Sequence, residues 1–223
     1  MTRAIIFDAE GVIIDSEPAW DVSQEALLAR YGHKYDRDEV KPLLTGRSLM
    51  EGTELLKRRF DLPGSVDELA SERTVLVEEA LAVRVDLVPG FSDFLSRVSP
   101  LFRTAVATSM EPRLFDLVDL RLGLRRLFGG HVYTLADVGF KSKPHPDLFL
   151  YAARGLGCDP ADCWVIEDAP YGLEAARRAG MRSIGLATTY QGALLAGADI
   201  VTASFAELTL SRLLEPPPDD IAL

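Results

Sequence analysis

Five short, mainly apolar runs lie along the chain, at positions 4–7, 104–107, 164–166, 183–186 and 200–201. Helical periodicity is clear between them, at 114–122, 147–156 and 172–179. Apolar strands that alternate with helices are typical of a parallel sheet covered by helices on both faces. The pattern therefore predicts an α/β fold built on a doubly wound parallel sheet.

The stretch from residue 15 to residue 85 has a different pattern. It is helical at 20–31, 47–60 and 66–85, and it contains no convincing strand. We therefore predict two domains. The α/β core takes residues 1–14 and 86–223, and an all-helical domain of residues 15–85 is inserted after the first strand.

Composition limits the partners that this chain can have. The formal charge of −10 argues against nucleic acid or an anionic membrane, and an anionic substrate would need local positive charge or a metal. There is no run of about 18 apolar residues, so we expect no membrane-spanning helix. Arg3 is followed by only four apolar residues before Asp8, which is unlike a signal peptide, and we expect a cytoplasmic location.

Side chains able to do chemistry follow several of the predicted strands. In doubly wound sheets, ligands bind outside the carboxyl ends of the strands. The residues at those ends, together with a lysine in a proline-rich loop, are Asp8, Glu10, Thr108, Ser109, Glu167, Asp168 and Lys143. Clustered acids repel one another unless a divalent cation lies between them, and all-oxygen ligation suits Mg²⁺. Lysine and hydroxyl groups opposite the metal would bind the oxygens of a transferring phosphoryl group.

Four sequence motifs in series carry a resemblance to a known family. Residues 8–12 read Asp-Ala-Glu-Gly-Val, and Thr108 ends a strand. Residues 143–149 read Lys-Pro-His-Pro-Asp-Leu-Phe, and Glu167-Asp168 follows a later strand. With these motifs the chain resembles the haloacid dehalogenase (HAD) superfamily, in the helical-cap branch of β-phosphoglucomutase and phosphoglycolate phosphatase.

The resemblance implies a Rossmann-like core, a helical cap at 15–85 that sets substrate specificity, and a role for each motif residue. Asp8 would be the nucleophile that forms an aspartyl-phosphate, Thr108 would bind a phosphoryl oxygen, and Lys143 would stabilise charge. Mg²⁺ would be bound by Asp8, Asp168 and the backbone carbonyl of Glu10. Glu167 would be either a further ligand or a structural acid. Ser109 and the cap residue Arg47 are candidates for substrate binding, although Arg47 could equally be a solvated helix-start residue.

Glu10 departs from the family pattern, which has aspartate at this position. In the family, this second acid is the general acid and base. Aspartate and glutamate have similar ordinary pKa values, so the type of chemistry is preserved. One more methylene moves the carboxyl group by about 1 Å, however, and a misplacement of that size can cost about 100-fold in rate. The enzyme is then either slowed by Glu10 or has a cap that positions its substrate to suit Glu10.

The resulting prediction is a Mg²⁺-dependent phosphatase that hydrolyses a small phosphomonoester resembling a sugar phosphate. Its partner would be a small phosphorylated metabolite, and the protein would be a monomer or a weak dimer. One alternative is a phosphosugar mutase. The mutases carry a cap histidine at the position that Trp20 occupies here, which argues against this alternative. Another is a catalytically weakened member of the fold that binds its ligand without turnover.

Overall fold

A computed structural model of the chain describes residues 3–44, 47 and 49–215. The described residues fall into two compact units. The first contains residues 3–13, 87–110 and 125–215, and the second contains the described residues of Ile14–Asp86 together with Glu111–Leu124.

The first unit is built on a parallel sheet of six strands. In chain order the strands of the molecule are β1 (Ala4–Phe7), β2 (Ile14–Asp15), β3 (Asp86–Leu87), β4 (Arg103–Ala107), β5 (Val132–Tyr133), β6 (Cys163–Glu167), β7 (Arg182–Leu186) and β8 (Ile200–Thr202). The order across the sheet is β5-β4-β1-β6-β7-β8, and every neighbouring pair is parallel. This topology confirms the predicted doubly wound sheet.

Strand β1 lies at the centre of the sheet, and all four of its residues are fully buried. Its last residue, Phe7, is in register with Val106 of β4 and with Ile166 of β6. Because the strands are parallel, the residues after them emerge at one edge of the sheet. The sheet therefore brings the predicted site residues of three strands together.

Each face of the sheet is covered by apolar side chains. In chain order the helices of the molecule are α1 (Glu17–Arg30), α2 (Arg37–Leu44), α3 (Leu49–Phe60), α4 (Val66–Val83), α5 (Phe91–Val98), α6 (Pro112–Leu122), α7 (Leu124–Leu127), α8 (Asp147–Leu156), α9 (Pro170–Arg178) and α10 (Leu210–Leu214). Successive strand side chains point to opposite faces. Ile6 thus packs in a cluster with Leu148 and Phe149 of α8, whereas Phe7 contacts the rings of Phe91, Phe94 and Phe128.

The second unit contains α1–α4, α6 and the short strand β2. Its core is a cluster of buried leucines that includes Leu27, Leu28, Leu56 and Leu69. Helix α4 begins with a capping box, in which the Ser65 side chain accepts from the Glu68 N–H and the Glu68 side chain accepts from the Ser65 N–H. Among the described helices, none combines the length and the hydropathy needed to cross a membrane.

Helix α6 corrects the predicted domain boundary. We predicted that all of 86–223 belongs to the α/β core, but Glu111–Leu124 groups with the inserted helices. Two contacts with the end of α4 and the residues after it explain this grouping: Arg113 pairs with Glu78 at 3.0 Å, and the Arg121 Nε donates to the Val85 carbonyl at 2.9 Å. An amphipathic helix does not reveal from its own sequence which neighbour covers its apolar face.

Candidate active site

Asp8 lies directly after β1, at a point where the chain turns sharply. Its N–H donates to the Ile166 carbonyl at 3.0 Å, so the backbone still follows β6 at this residue. The Ala9 carbonyl then accepts from the N–H of Ile13 at 2.8 Å, which closes a turn. Gly11 has a φ of +70° within this turn, a conformation that favours glycine. The turn leaves the buried Asp8 carboxylate at the edge of the sheet.

Lys143 connects Asp8 to Glu167. Its Nζ donates to Asp8 Oδ1 and, at 2.6 Å, to Glu167 Oε1. Only 8% of the Lys143 side chain is exposed. The Nζ also lies 4.8 Å from the centre of the Phe149 ring, which limits the access of water on that side. The lysine is thus a desolvated cation placed between two acids.

Glu167 is oriented by contacts to both of its carboxylate oxygens. Oε1 accepts from Lys143, and Oε2 accepts from the Ala169 N–H at 2.9 Å. The side chain also lies directly against α9, because a Cβ on Gly172 would fall 1.9 Å from the Glu167 Cδ. Of the two roles predicted for Glu167, these contacts favour the structural one, in which it orients Lys143.

Asp168 lies close to Asp8 and Glu167. Each of these acids offers an oxygen atom, and the three oxygens lie within 4.8 Å of one another. The pKa of Asp8 is raised to about 7, and burial is the main cause. Lys143 lowers this pKa in part, whereas the negative charges of Glu167 and Glu10 raise it further. Burial, Glu167 and Asp8 raise the pKa of Asp168 well above its usual range. Burial alone would lower the pKa of Lys143, but Asp8 and Glu167 raise it above its usual value.

These charges fit a divalent cation. Within the described part of the chain, one lysine pairs with two of these three buried acids, so the ionised cluster carries excess negative charge. Carboxylate oxygens and a backbone carbonyl are hard ligands of the kind that Mg²⁺ prefers. The clustered oxygens of Asp8, Glu167 and Asp168 therefore suit the predicted metal, and the Glu10 carbonyl stays a predicted ligand.

Thr108 and Ser109 place two hydroxyl groups at the end of β4. The Thr108 N–H donates to the Tyr133 carbonyl at 3.0 Å, and its hydroxyl oxygen accepts from the Met110 N–H at 3.0 Å. A hydroxyl that accepts in this way still has its own proton to donate. The Ser109 Oγ is buried and has no hydrogen-bond partner among the described residues. Both hydroxyls can therefore donate to an anionic ligand.

Glu10 and Arg47 occupy different parts of the molecule. Glu10 is partly exposed in the turn after β1, and its charge contributes to the raised pKa of Asp8. Arg47 belongs to the second unit, where its Nε donates to the Leu43 carbonyl at 3.2 Å and its N–H donates to the Leu44 carbonyl at 3.1 Å. The first unit thus contains every predicted site residue except Arg47, and the binding roles of all of them stay predictions.

Two residues of this site were not predicted. Thr188 and Thr189 follow β7, the strand beside β6. The Thr188 hydroxyl donates to the Gly11 carbonyl, and the Thr189 hydroxyl and the Asp168 carboxylate both lie next to Gly11. The rule that selects residues just past each strand end applies to β7 as well, and it would have identified both threonines.

Comparison with known proteins places the chain in a family. Residues 2–180 match the model of the haloacid dehalogenase-like hydrolases. The chain belongs to this family and is a hydrolase of the HAD class, which confirms the resemblance seen in the four motifs.

Several characterised proteins are similar to it. Fructose-1-phosphate phosphatase YqaB of Escherichia coli K12 is 33% identical over 81% of this chain and 94% of its own. Validoxylamine A 7′-phosphate phosphatase of Streptomyces hygroscopicus subsp. limoneus is 32% identical over 93% and 96%. A HAD family hydrolase of Deinococcus radiodurans R1, solved with bound phosphate and sodium, is 29% identical and covers 97% of this chain and 99% of its own, with a TM-score of 0.81.

Proposed function

We propose that this protein is a Mg²⁺-dependent phosphatase that hydrolyses a small phosphomonoester through an aspartyl-phosphate on Asp8. The observation that carries the proposal is the buried arrangement of Asp8, Lys143 and Glu167 beside Asp168. The similar phosphatases act on a sugar phosphate and on a validoxylamine phosphate, which supports a small phosphorylated substrate.

In the first step, a carboxylate oxygen of Asp8 forms a bond to phosphorus while the bond from phosphorus to the ester oxygen breaks. Glu10 donates a proton to the departing oxygen, and Lys143 and the Thr108 hydroxyl stabilise the charge on the phosphoryl oxygens. Asp8, Asp168 and the Glu10 carbonyl would hold Mg²⁺, which supplies positive charge next to the acids and the phosphoryl group.

In the second step, Glu10 accepts a proton from a water molecule whose oxygen attacks phosphorus. The bond between phosphorus and Asp8 breaks, which releases inorganic phosphate and returns Asp8 to a carboxylate. Glu10 thus alternates between acid and base, and after one cycle it is protonated again. The hydrogen bond from Lys143 to Glu167 positions the lysine beside Asp8.

The test is the release of inorganic phosphate from a panel of sugar and polyol phosphates, in Mg²⁺ and in EDTA. We expect Mg²⁺-dependent release by the wild type and none by Asp8→Asn, which keeps the shape of the side chain but removes the nucleophile. Conversion of a substrate into its isomer without phosphate release would identify a mutase. Binding without turnover across the panel would identify a ligand-binding protein, and either result would refute the proposal.

Variants at Glu10 test its separate role. Glu10→Gln has the same length but cannot exchange a proton, so we expect kcat to fall by about 10²- to 10⁴-fold. Mg²⁺ affinity should be unchanged, because only the backbone carbonyl of this residue would bind the metal. Glu10→Asp then separates the two versions of the hypothesis. A lower kcat in Glu10→Asp than in the wild type would mean that the site is arranged for glutamate. A higher kcat in Glu10→Asp would mean that Glu10 slows the reaction of the wild type.

A further inference from the structure

The loop after β7 connects two segments that carry the proposed metal ligands. Thr188 donates its hydroxyl proton to the Gly11 carbonyl, and the hydroxyl of the neighbouring Thr189 lies on the same side of Gly11 as the Asp168 carboxylate. Gly11 directly follows Glu10, whose carbonyl is a proposed ligand, and Asp168 is itself a proposed ligand. One loop therefore contacts both sides of the metal site.

The absence of a side chain at Gly11 makes these contacts possible. A Cβ on Gly11 would lie 2.0 Å from Asp168 Oδ2 and 2.7 Å from Thr189 Oγ1. The Asp168 carboxylate and the Thr189 hydroxyl thus occupy the space that any other residue at position 11 would fill. Asp168 and Thr189 therefore both pack against the backbone of Gly11, and this packing is observed independently of the hydrogen bond from Thr188.

The loop is itself anchored to the sheet. The Ala187 N–H donates to the Thr202 carbonyl of β8, and the Thr188 N–H donates to the Leu186 carbonyl of β7, both at 2.9 Å. These bonds fix the start of the loop, so the two hydroxyls approach Gly11 and Asp168 from a defined direction.

We propose that Thr188 and Thr189 are positioning residues that raise the affinity of the site for its divalent cation. Thr189 fixes the orientation of the Asp168 carboxylate, and Thr188 fixes the peptide turn that carries the Glu10 carbonyl. Neither residue touches the reacting atoms. The inference rests on the proposed function, from which it takes the metal ligands. Partners that orient metal ligands typically contribute about 10- to 100-fold in metal affinity.

The test is calorimetric titration of the full chain with Mg²⁺ in the absence of substrate. Thr189→Val keeps the side-chain shape and removes the hydroxyl, and we expect it to weaken Mg²⁺ binding by about 10- to 100-fold. Thr189→Ser keeps the hydroxyl and should bind Mg²⁺ as the wild type does. In turnover assays, Thr189→Val should need more Mg²⁺ for half-maximal rate while reaching nearly the wild-type kcat at saturation.

Thr202→Val is the matched control. Its hydroxyl is bonded to the Ser204 carbonyl and the Glu207 carboxylate, so its loss affects stability without touching the site. If Thr189→Val does not fold, as judged by circular dichroism, Thr188→Val at an exposed position provides the same test through the Gly11 carbonyl.

The outcomes separate this inference from the proposed function. Wild-type affinity in a folded Thr189→Val, or an equal loss in Thr202→Val, would overturn the positioning role alone. Failure of the wild type itself to bind Mg²⁺ would overturn the metal site and this inference with it.

Discussion

Among the residues that the structure describes, Lys143 is the cation between Asp8 and Glu167, and replacing it by methionine removes this charge. The methionine side chain has a similar length and fits the apolar contact with Phe149, so the main change is the loss of charge. The Glu167 side chain is 2% exposed and the Asp8 side chain 9%, so neither acid recovers its lost partner from water. Breaking a buried ion pair by removing one partner costs about 3–5 kcal/mol, and we expect a loss of that size in the free energy of unfolding.

The matched control is Lys141→Met, two residues earlier in the same loop. Lys141 also pairs with an acid, Asp147 at 2.9 Å, but 60% of its side chain is exposed. An exposed pair contributes about 0–1 kcal/mol, so the two variants should differ by several kcal/mol although both remove one lysine charge. The measurement is urea unfolding at pH 8 in EDTA, where Asp8 is more fully ionised and no cation replaces the lysine.

Equal stabilities of the two variants, or a loss below about 1 kcal/mol in Lys143→Met, would refute the assignment of Lys143 as a buried charge partner. Phosphate release provides a second comparison in the same proteins. We expect it to be abolished in Lys143→Met and retained in Lys141→Met. Retained turnover in Lys143→Met would contradict the proposed role of this lysine in the reaction.

Two further predictions concern other parts of the same cluster. Gly172→Ala places a Cβ 1.9 Å from the Glu167 Cδ, so we expect the displaced acid to lower both phosphatase activity and the melting temperature, with an overpacking cost of about 1–3 kcal/mol. Gly197→Ala is its control, since a Cβ there meets no atom within 4 Å, and an equal effect in both variants would contradict the explanation. In EDTA, the pKa of Asp8 is about 7 in the folded protein and about 4 in the unfolded protein. The folded state therefore binds this proton more tightly, so the free energy of unfolding should fall as the pH rises from about 4 to about 7. Thermal unfolding of Asp8→Asn should show a smaller decline, and an identical pH profile would refute the assignment.

The strand pattern predicted most of the sheet because five of its strands are mostly buried and therefore mainly apolar. Strand β5 was missed, because two partly buried residues make no recognisable run. Helix α8 was predicted with the bounds that the structure has, since its apolar positions recur regularly and Gly157 follows it. Helix α2 was missed because Pro42 lies inside it, where a sequence pattern indicates a break.

The candidate site was predictable to the extent that parallel strands determine it. Because these strands share one direction, the residues after β1, β4 and β6 must emerge at the same edge of the sheet, and the strand pattern alone is enough to predict this. Contacts that depend on loop conformation could not be predicted in this way. The threonines after β7 reach Gly11 and Asp168 only because Gly11 lacks a Cβ and its loop turns as it does.

The pKa of Asp8 gives a physical reason why both a lysine and a metal would be needed. Attack on phosphorus requires an ionised carboxylate, yet with Lys143 already in contact the pKa of Asp8 is still about 7. The raised pKa therefore favours the protonated form of Asp8 in metal-free molecules. A divalent cation beside Asp8 would favour the charged form, as any nearby positive charge does. The role proposed for Glu10 has the opposite requirement, because a group that both donates and accepts a proton must be able to change its charge during the cycle. Its partly exposed position beside the buried Asp8 is consistent with that difference, so the extra methylene of Glu10 bears on proton transfer more than on the nucleophile or the metal.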